Sequence, residues 1–308
     1  MCLHIDHPNS GLAFHWHLRM RAASGQRVAS RVLQIFETQA IAPSEFRSQL
    51  LGPEIHLNVI FLAEDAKARR IGMLLRRVEP MQSVVLWACP SGFNCPGPEK
   101  VAVSLYAERD HRADTDPASE FWAGAPSVTL DTGPYGEAAL GHHTDVRLRW
   151  TRTNLYFLFV CNYQTLSLRA GIPVLDRPTP ELWKHDVAEV FIDGEVPASG
   201  KYCEFELSPR GEWLDLAIQS LPAGGISGKP LDSRFISSAR LEENTSRWYG
   251  FLCVPSGRIV SGELRSGDHL SINFFRSQGH DPVELCWRPT RDASFHVPSA
   301  FGALILAE

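Results

Sequence analysis

Methionine is scarce in this chain, four residues in 308, and the seven cysteines include no Cys-x-x-Cys pair. An odd, scattered set of cysteines gives neither a disulfide framework nor a zinc ribbon, so a reducing compartment is expected. No stretch approaches the ~20 apolar residues of a membrane span, because charges break the best candidates within about ten residues. The opening MCLHIDHPNSGLAF has neither a basic leader nor a long apolar run, so export is not expected and a cytoplasmic location is. An excess of positive charge is also missing: the formal net charge is -5, which gives no reason to expect nucleic acid as a partner. No P-loop, GxGxxG, GxSxG or HExxH occurs, so the common nucleotide, hydride and hydrolase signatures are absent.

What is present is an ordinary folding composition, 44% hydrophobic and 21% charged, over a length that suits about two domains. From Leu12 to Ala22 the residues alternate strictly, with Leu12, Phe14, Trp16, Leu18 and Met20 on one side and His15, His17, Arg19 and Arg21 on the other, which predicts a half-buried strand. Ser24 and Gly25 make a turn, and Val28, Val32, Ile35 and Phe36 recur at helical spacing, predicting a helix over 26–40 that Pro43 stops. A strand near Phe46–Leu50, a Gly52-Pro53 turn and the alternating Ile55, Leu57, Val59 and Phe61 predict a hairpin. A second helix is expected from Glu64 to Val78, acidic at its start and with Ile71, Leu74, Leu75 and Val78 inward. A strand over Met81–Trp87 closes a βαββαβ unit, which packs as a four-stranded sheet with both helices on one face.

This stretch, carried by ASGQRVASRVLQIFETQAI and HLNVIFLAEDAKARRIGMLLRRV over residues 12–89, resembles the ACT-type regulatory domains, and among them the small regulatory subunit of acetolactate synthase. The resemblance implies a ferredoxin-like α+β fold and dimerisation, with the His15, His17, Arg19 and Arg21 face exposed for pairing. The Asp-x-Pro-Gly turn of the amino-acid-binding members is replaced by Ala23-Ser24-Gly25-Gln26, of which only the glycine matches. Residues 90–117, with two proline-glycine clusters and a charge run, are read as a linker holding one short strand at Val101–Tyr106.

Beyond it come about ten short runs rich in β-branched and aromatic residues, among them DVRLRW, NLYFLFVC, VAEVFID, YCEFELS, RWYGFLCV and LSINFFR. Turn residues separate them, which predicts an all-β antiparallel sandwich of jelly-roll or immunoglobulin-like type over 118–308. Four segments in order carry a second resemblance: NLYFLFVCNYQ, ELWKHDVAEVFID, YCEFELSPRGEWLD, and INFFRS with ELCWRPTRDASFHVPSAFGALIL. They are similar to the family 9 carbohydrate-binding modules and their DOMON-like relatives.

That resemblance implies a non-catalytic protein that holds a mono- or oligosaccharide. Pyranose rings pack their C–H faces on aromatic planes and need fixed polar partners for their hydroxyls. By resemblance, Trp183 and Trp287 are the two platforms, Glu189 the hydroxyl-binding carboxylate, and Arg276 and Asp186 further polar contacts. Trp122, Trp150, Trp213 and Trp248 are read as core. On the strand after VAEVFID, where the family carries a long polar group such as arginine, this chain has Tyr202-Cys203-Glu204-Phe205. The family often carries structural calcium, for which Asp186, Asp193 or neighbouring carbonyls are candidate ligands, but no loop here has the dense oxygen-ligand spacing of a known site, and no cofactor is expected. A Met-ligated haem, found in related sandwiches, is excluded because Met1, Met20, Met73 and Met81 all precede this domain.

Two further chemistries stay open. Asp186, Glu189, Asp193, Glu204 and Glu206 raise glycoside hydrolysis, which needs two carboxylates flanking a cleft, although acidic residues alternating outward on a sandwich are ordinarily solvated. His142-His143 and the His15-x-His17 pair have metal-ligand character, and solvated or partner-facing pairs are the plainer reading.

Overall fold

The computed structural model describes residues 14–24, 27–89, 101–139, 141–194, 200–221, 225–278 and 283–308. The expected turn at Gly25 and Gln26, the strand start at Leu12 and the 90–100 part of the expected linker lie outside the described residues. The chain divides into two compact units, one spanning Met1–Glu99 with Ala307–Glu308 and the other Lys100–Leu306.

In the first unit the order is β1 (Phe14–Ala23), α1 (Val28–Thr38), β2 (Pro43–Leu51), β3 (Glu54–Ala63), α2 (Asp65–Leu75) and β4 (Met81–Cys89). Its four strands lie in the order β2-β3-β1-β4. Along the β1–β3 register Trp16 faces Phe61, Leu18 faces Val59 and Met20 faces Leu57. These side chains form one buried cluster with Val32 and Phe36 of α1 and Ile71 and Leu75 of α2, so the strand period of two and the helix period of 3.6 converge on a single core. Phe36 meets Phe61 edge to face at 4.9 Å.

The other side of β1 departs from expectation. His15 is exposed, but His17 is only 5% exposed, and Arg19 and Arg21 are half-buried. Burial lowers the Arg19 guanidinium to about 10. β1 is a central strand, flanked by β3 and β4, and neighbouring side chains on a pleated sheet shield the middle of a row more than its ends.

The second unit contains strands and short 3-10 turns among its described residues. Its strands are β5 (Val101–Tyr106), β6 (Ser127–Leu130), β7 (Thr144–Trp150), β8 (Asn154–Asn162), β9 (Val187–Asp193), β10 (Lys201–Leu207), β11 (Trp213–Ser220), β12 (Ile226–Pro230), β13 (Ile236–Glu242), β14 (Arg247–Pro255), β15 (His269–Gln278), β16 (Val283–Cys286) and β17 (Gly302–Ala307). They run β12-β11-β10-β9-β15-β17-β5-β7-β8-β14-β13, with β16 on β15 and β6 on β7. The stretch read as a linker thus contributes a sheet strand, since β5 pairs in parallel with β7.

The sheet folds on itself around one core. Val190, Phe205, Ile272 and Phe274 from one half pack with Leu148, Phe157, Phe159, Trp248 and Leu252 from the other, and Phe274 meets Phe157 at 5.6 Å. This is the sandwich-like packing of two inner faces. The outer face of β8 and β14 is covered in turn: Trp122 joins Tyr156, Leu158, Tyr249 and Phe251 in a separate cluster. Asp110 fastens that cover, accepting hydrogen bonds from Thr151 Oγ1, Asn154 Nδ2 and Tyr156 OH. Burial would raise its pKa, yet these donors hold it below the ordinary carboxylate value. Trp122, Trp150 and Trp248 are buried; Trp213 is half-buried, its Nε1 donating to the Leu175 carbonyl.

Candidate functional site

β9 is buried along its whole length. Ala188, Val190 and Ile192 point into the core, so alternation turns Glu189 and Phe191 to the outer face of the sheet. There Glu189 stands opposite Glu206 of β10 and opposite Phe275 of β15, and Glu204 stands opposite Phe191. An outer face of a sandwich ordinarily meets water, but Glu189, Glu204 and Glu206 are 3%, 3% and 0% exposed. The expectation of solvated carboxylates is therefore corrected, and the chain between β16 and β17 packs on this face. Phe295 stacks on Phe275 at 4.4 Å, and His296 stacks on Phe191 at 5.1 Å. The Tyr202 hydroxyl and His296 Nδ1 are hydrogen-bonded at 2.7 Å. Burial pushes the Tyr202 phenol up and the His296 imidazole down, to about 4.

The electrostatics follow from crowding acids together away from water. Burial, then Glu204 and Glu284, raise Glu189 well above the ordinary carboxylate value. Burial, then Glu189 and Glu204, do the same to Glu206. Burial takes Glu204 to about 7. Both oxygens of Glu206 and Oε2 of Glu204 find no hydrogen-bond partner other than one another. The acidic row continues to the surface through Glu284 on β16, whose carboxyl is raised by burial and by Glu137. Glu284 and Glu137 line a cavity of about 420 Å³ together with Tyr135, His142, Val283 and the Gly133-Pro134 turn.

The residues singled out by sequence scatter around this face. Trp183 sits on a 3-10 turn (Leu182–Lys184) just before β9 and is 45% exposed. Asp186 is buried; its carboxylate accepts the Ser167 N–H, and its own N–H donates to the Ser167 carbonyl at 2.9 Å. Arg276 lies between the sheet halves with no exposure. Its guanidinium donates to Thr144 Oγ1 at 2.8 Å, the Asn162 carbonyl at 2.6 Å and the Gln278 side-chain oxygen, beside the Trp248 ring at 5.8 Å. Trp287 is half-buried, with its ring 5.9 Å from Phe274 and packed on the inner core. No ring contact joins Trp183 to Trp287 among the described residues. Asp186 and Asp193 flank β9, and seven extended residues set them roughly 23 Å apart, too far to share one ion. Among the described residues no cluster of three or more His, Cys, Asp or Glu has the arrangement of a metal site.

The aromatic that joins Glu189 on its own face is Phe295, through Phe275. The signal for it in the sequence was parity along β15: Phe274 faces the core, so Phe275 must face the other way and requires a cover.

No protein-family model matches the chain. A candidate carbohydrate-binding protein from Bacteroides uniformis aligns with 67% of this chain and 99% of its own, with a TM-score of 0.54 at 15% identity. The likeness is one of fold. A family 9 carbohydrate-binding module from Caldicellulosiruptor kristjanssonii, solved with cellotriose, covers 68% of this chain and 94% of its own at 15% identity, with a TM-score of 0.43. An extracellular protein of Arthroderma benhamiae is 24% identical over 139 residues, which is 41% of this chain. The match spans 62% of that relative's length.

Proposed function

We propose that the Lys100–Leu306 unit is a non-catalytic carbohydrate-binding module of family 9 type, taking a mono- or oligosaccharide on the outer face of β10-β9-β15-β16. The observation that carries this reading is a cavity of sugar size into which Glu137 and Glu284 open, with the exposed Tyr135 ring in its wall. Pockets of ~300–1,000 Å³ hold small ligands. Trp183, exposed ahead of β9, supplies the platform at one edge. Trp287 offers the free edge of a ring whose other side is anchored, while Asp186 and Arg276 hold the surrounding chain from beneath.

Hydrolysis is disfavoured by the same burial. Catalytic carboxylates must flank a cleft that admits substrate and water, whereas Glu189, Glu204 and Glu206 are almost wholly buried. Calorimetric titration of the full chain with glucose, cellobiose, cellotriose and xylose tests the proposal. Saturable binding that Trp183→Ala abolishes without loss of fold is expected. Silence from every sugar at millimolar concentration sinks it.

A second reading concerns the first unit. Its βαββαβ order and its β2-β3-β1-β4 sheet favour an ACT-like regulatory or dimerisation domain, and a homodimer of the chain is the expectation. Sedimentation of the full chain as a monomer at every concentration would remove it.

A further inference from the structure

We propose that His142 is a fixed N–H donor to the sugar in the cavity beside β16, and that Gln278 and Arg276 are the positioning residues that hold its ring in the donating tautomer. This role rests on the carbohydrate reading above and adds to it the group that selects a sugar oxygen.

The chain of contacts starts inside the sandwich. Phe274, Arg276 and Gln278 alternate along β15 and turn to the same side of it. Arg276 is wholly buried and Gln278 is 1% exposed. The Arg276 guanidinium donates to Thr144 Oγ1 and to the Asn162 carbonyl, which fixes its plane, and it donates again to Gln278 Oε1. A guanidinium only donates, so the oxygen of the Gln278 amide must be the atom that faces it. The amide nitrogen then faces the other way, and there Gln278 Nε2 meets His142 Nδ1 at 2.7 Å.

That direction decides the imidazole. An amide NH2 group donates and cannot accept, so Nδ1 must be the bare, accepting nitrogen. The hydrogen of the neutral ring is therefore on Nε2. Turning the amide over would set its NH2 group against the guanidinium, and both side chains are buried, so donors would be left without acceptors. A buried arginine thus dictates, through one glutamine, which nitrogen of a half-buried histidine carries hydrogen.

His142 lines the cavity with Tyr135, Glu137, Val283 and Glu284. Among the described residues its Nε2 has no hydrogen-bond partner, and no other side chain of that lining brings an N–H. This matters for a sugar because hydroxyls both give and take hydrogen bonds, whereas ring and glycosidic oxygens only take them. Carboxyl groups serve the hydroxyls; an N–H of fixed direction serves the ring or bridge oxygen and so orients the pyranose. Tyr135 is held as well: Arg291 donates its backbone N–H to the Pro134 carbonyl at 2.8 Å and its guanidinium to the Tyr135 carbonyl. Donor and ring face are both set before a ligand arrives, which lowers the cost of ordering them on binding.

The test joins a spectrum to an affinity. Nitrogen NMR of the full chain, isotope-labelled in its histidines, is recorded at pH 8, well above the ordinary imidazole pKa. His142 is assigned by the signals that vanish in His142→Ala. A pyrrole-type Nε2 and a pyridine-type Nδ1 are expected. Gln278→Glu keeps the shape of the side chain but can only accept, so hydrogen should move to Nδ1 of His142 while the other histidines keep their signals. Calorimetry with glucose, cellobiose and cellotriose gives the second readout. Gln278→Glu and His142→Ala should each lose about tenfold in affinity, the scale of one hydrogen bond. His142→Gln, whose amide nitrogen reaches the same place, should recover most of what His142→Ala loses. Hydrogen on Nδ1 of the unaltered protein overturns the proposal, and so does a sugar affinity that Gln278→Glu leaves unchanged; both outcomes leave the carbohydrate reading standing. No response to any sugar overturns that reading and the donor role together.

Discussion

Glu189 and Glu206 stand directly opposite one another across β9 and β10, both buried and both raised well above the ordinary carboxylate pKa. Cross-strand neighbours have Cβ atoms about 5 Å apart, so two acids in this position cannot both ionise cheaply, and Glu204 beside them makes the strain threefold.

Stability should therefore fall as pH rises. Unfolded, these groups ionise near 4.5; folded, Glu204 ionises near 7. Between those values the folded chain binds more protons than the unfolded one, so stability present below about pH 4.5 is lost by pH 7. For Glu204 alone the loss is on the order of 3 kcal/mol. Thermal unfolding at pH 5 and pH 8 checks this: Glu204→Gln should narrow the gap by raising the midpoint at pH 8, and an unchanged gap refutes it.

His296 has the opposite dependence. Burial lowers it from 6.5 to about 4, so the stability it confers is present above about pH 6.5 and is lost as pH falls towards 4. Tyr202→Phe deletes its hydrogen-bond partner and should cost about 1 kcal/mol at pH 7. The readout is hydrogen exchange of residues 288–301, which should quicken in the variant and on acidification while the 14–89 unit is unaffected.

The two tryptophans should separate cleanly. Trp183→Ala removes an exposed ring and should alter stability by less than about 0.5 kcal/mol. Trp287→Ala withdraws a ring packed on Phe274 and the inner core and should cost roughly 2–4 kcal/mol. Urea midpoints decide it.

Arg276→Met keeps the length of the stem and removes the charge. Thr144 Oγ1, the Asn162 carbonyl and Gln278 then lose a donor together, and a loss of about 3 kcal/mol is expected, in the range for breaking a buried charged network. Retention of full urea resistance would show that water replaces the guanidinium.

Gly194 allows no side chain. A Cβ there would collide with the Ile259 carbonyl oxygen, so Gly194→Ala must push backbone from backbone. Little soluble protein, or a midpoint lower by several degrees, is the expected outcome.

Sequence periodicity carried the first unit well because its signals are local. Trp16, Leu18 and Met20 alternate, Val32 and Phe36 recur a turn apart, and the structure brings those same residues into one core. The strands of the sandwich were legible for the same reason. What was not legible depended on partners far along the chain. Nothing near Glu189 announces that Phe295 and His296, more than a hundred residues later, will bury it. His17 and Arg19 likewise look solvent-facing by alternation, and only their central place in the sheet reveals their burial. The resemblance makes Arg276 a polar contact for sugar, whereas its β15 parity with Phe274 sends it inward to a structural role.

β5 and β17 lie side by side in the sheet, although one is the first strand of the sandwich to leave the ribosome and the other the last. A nascent chain therefore carries both halves with a raw seam between them until residues 302–307 emerge, and only then can the seam be stitched. Until β17 is in place, β5 and β15 each keep an open edge available to neighbouring chains.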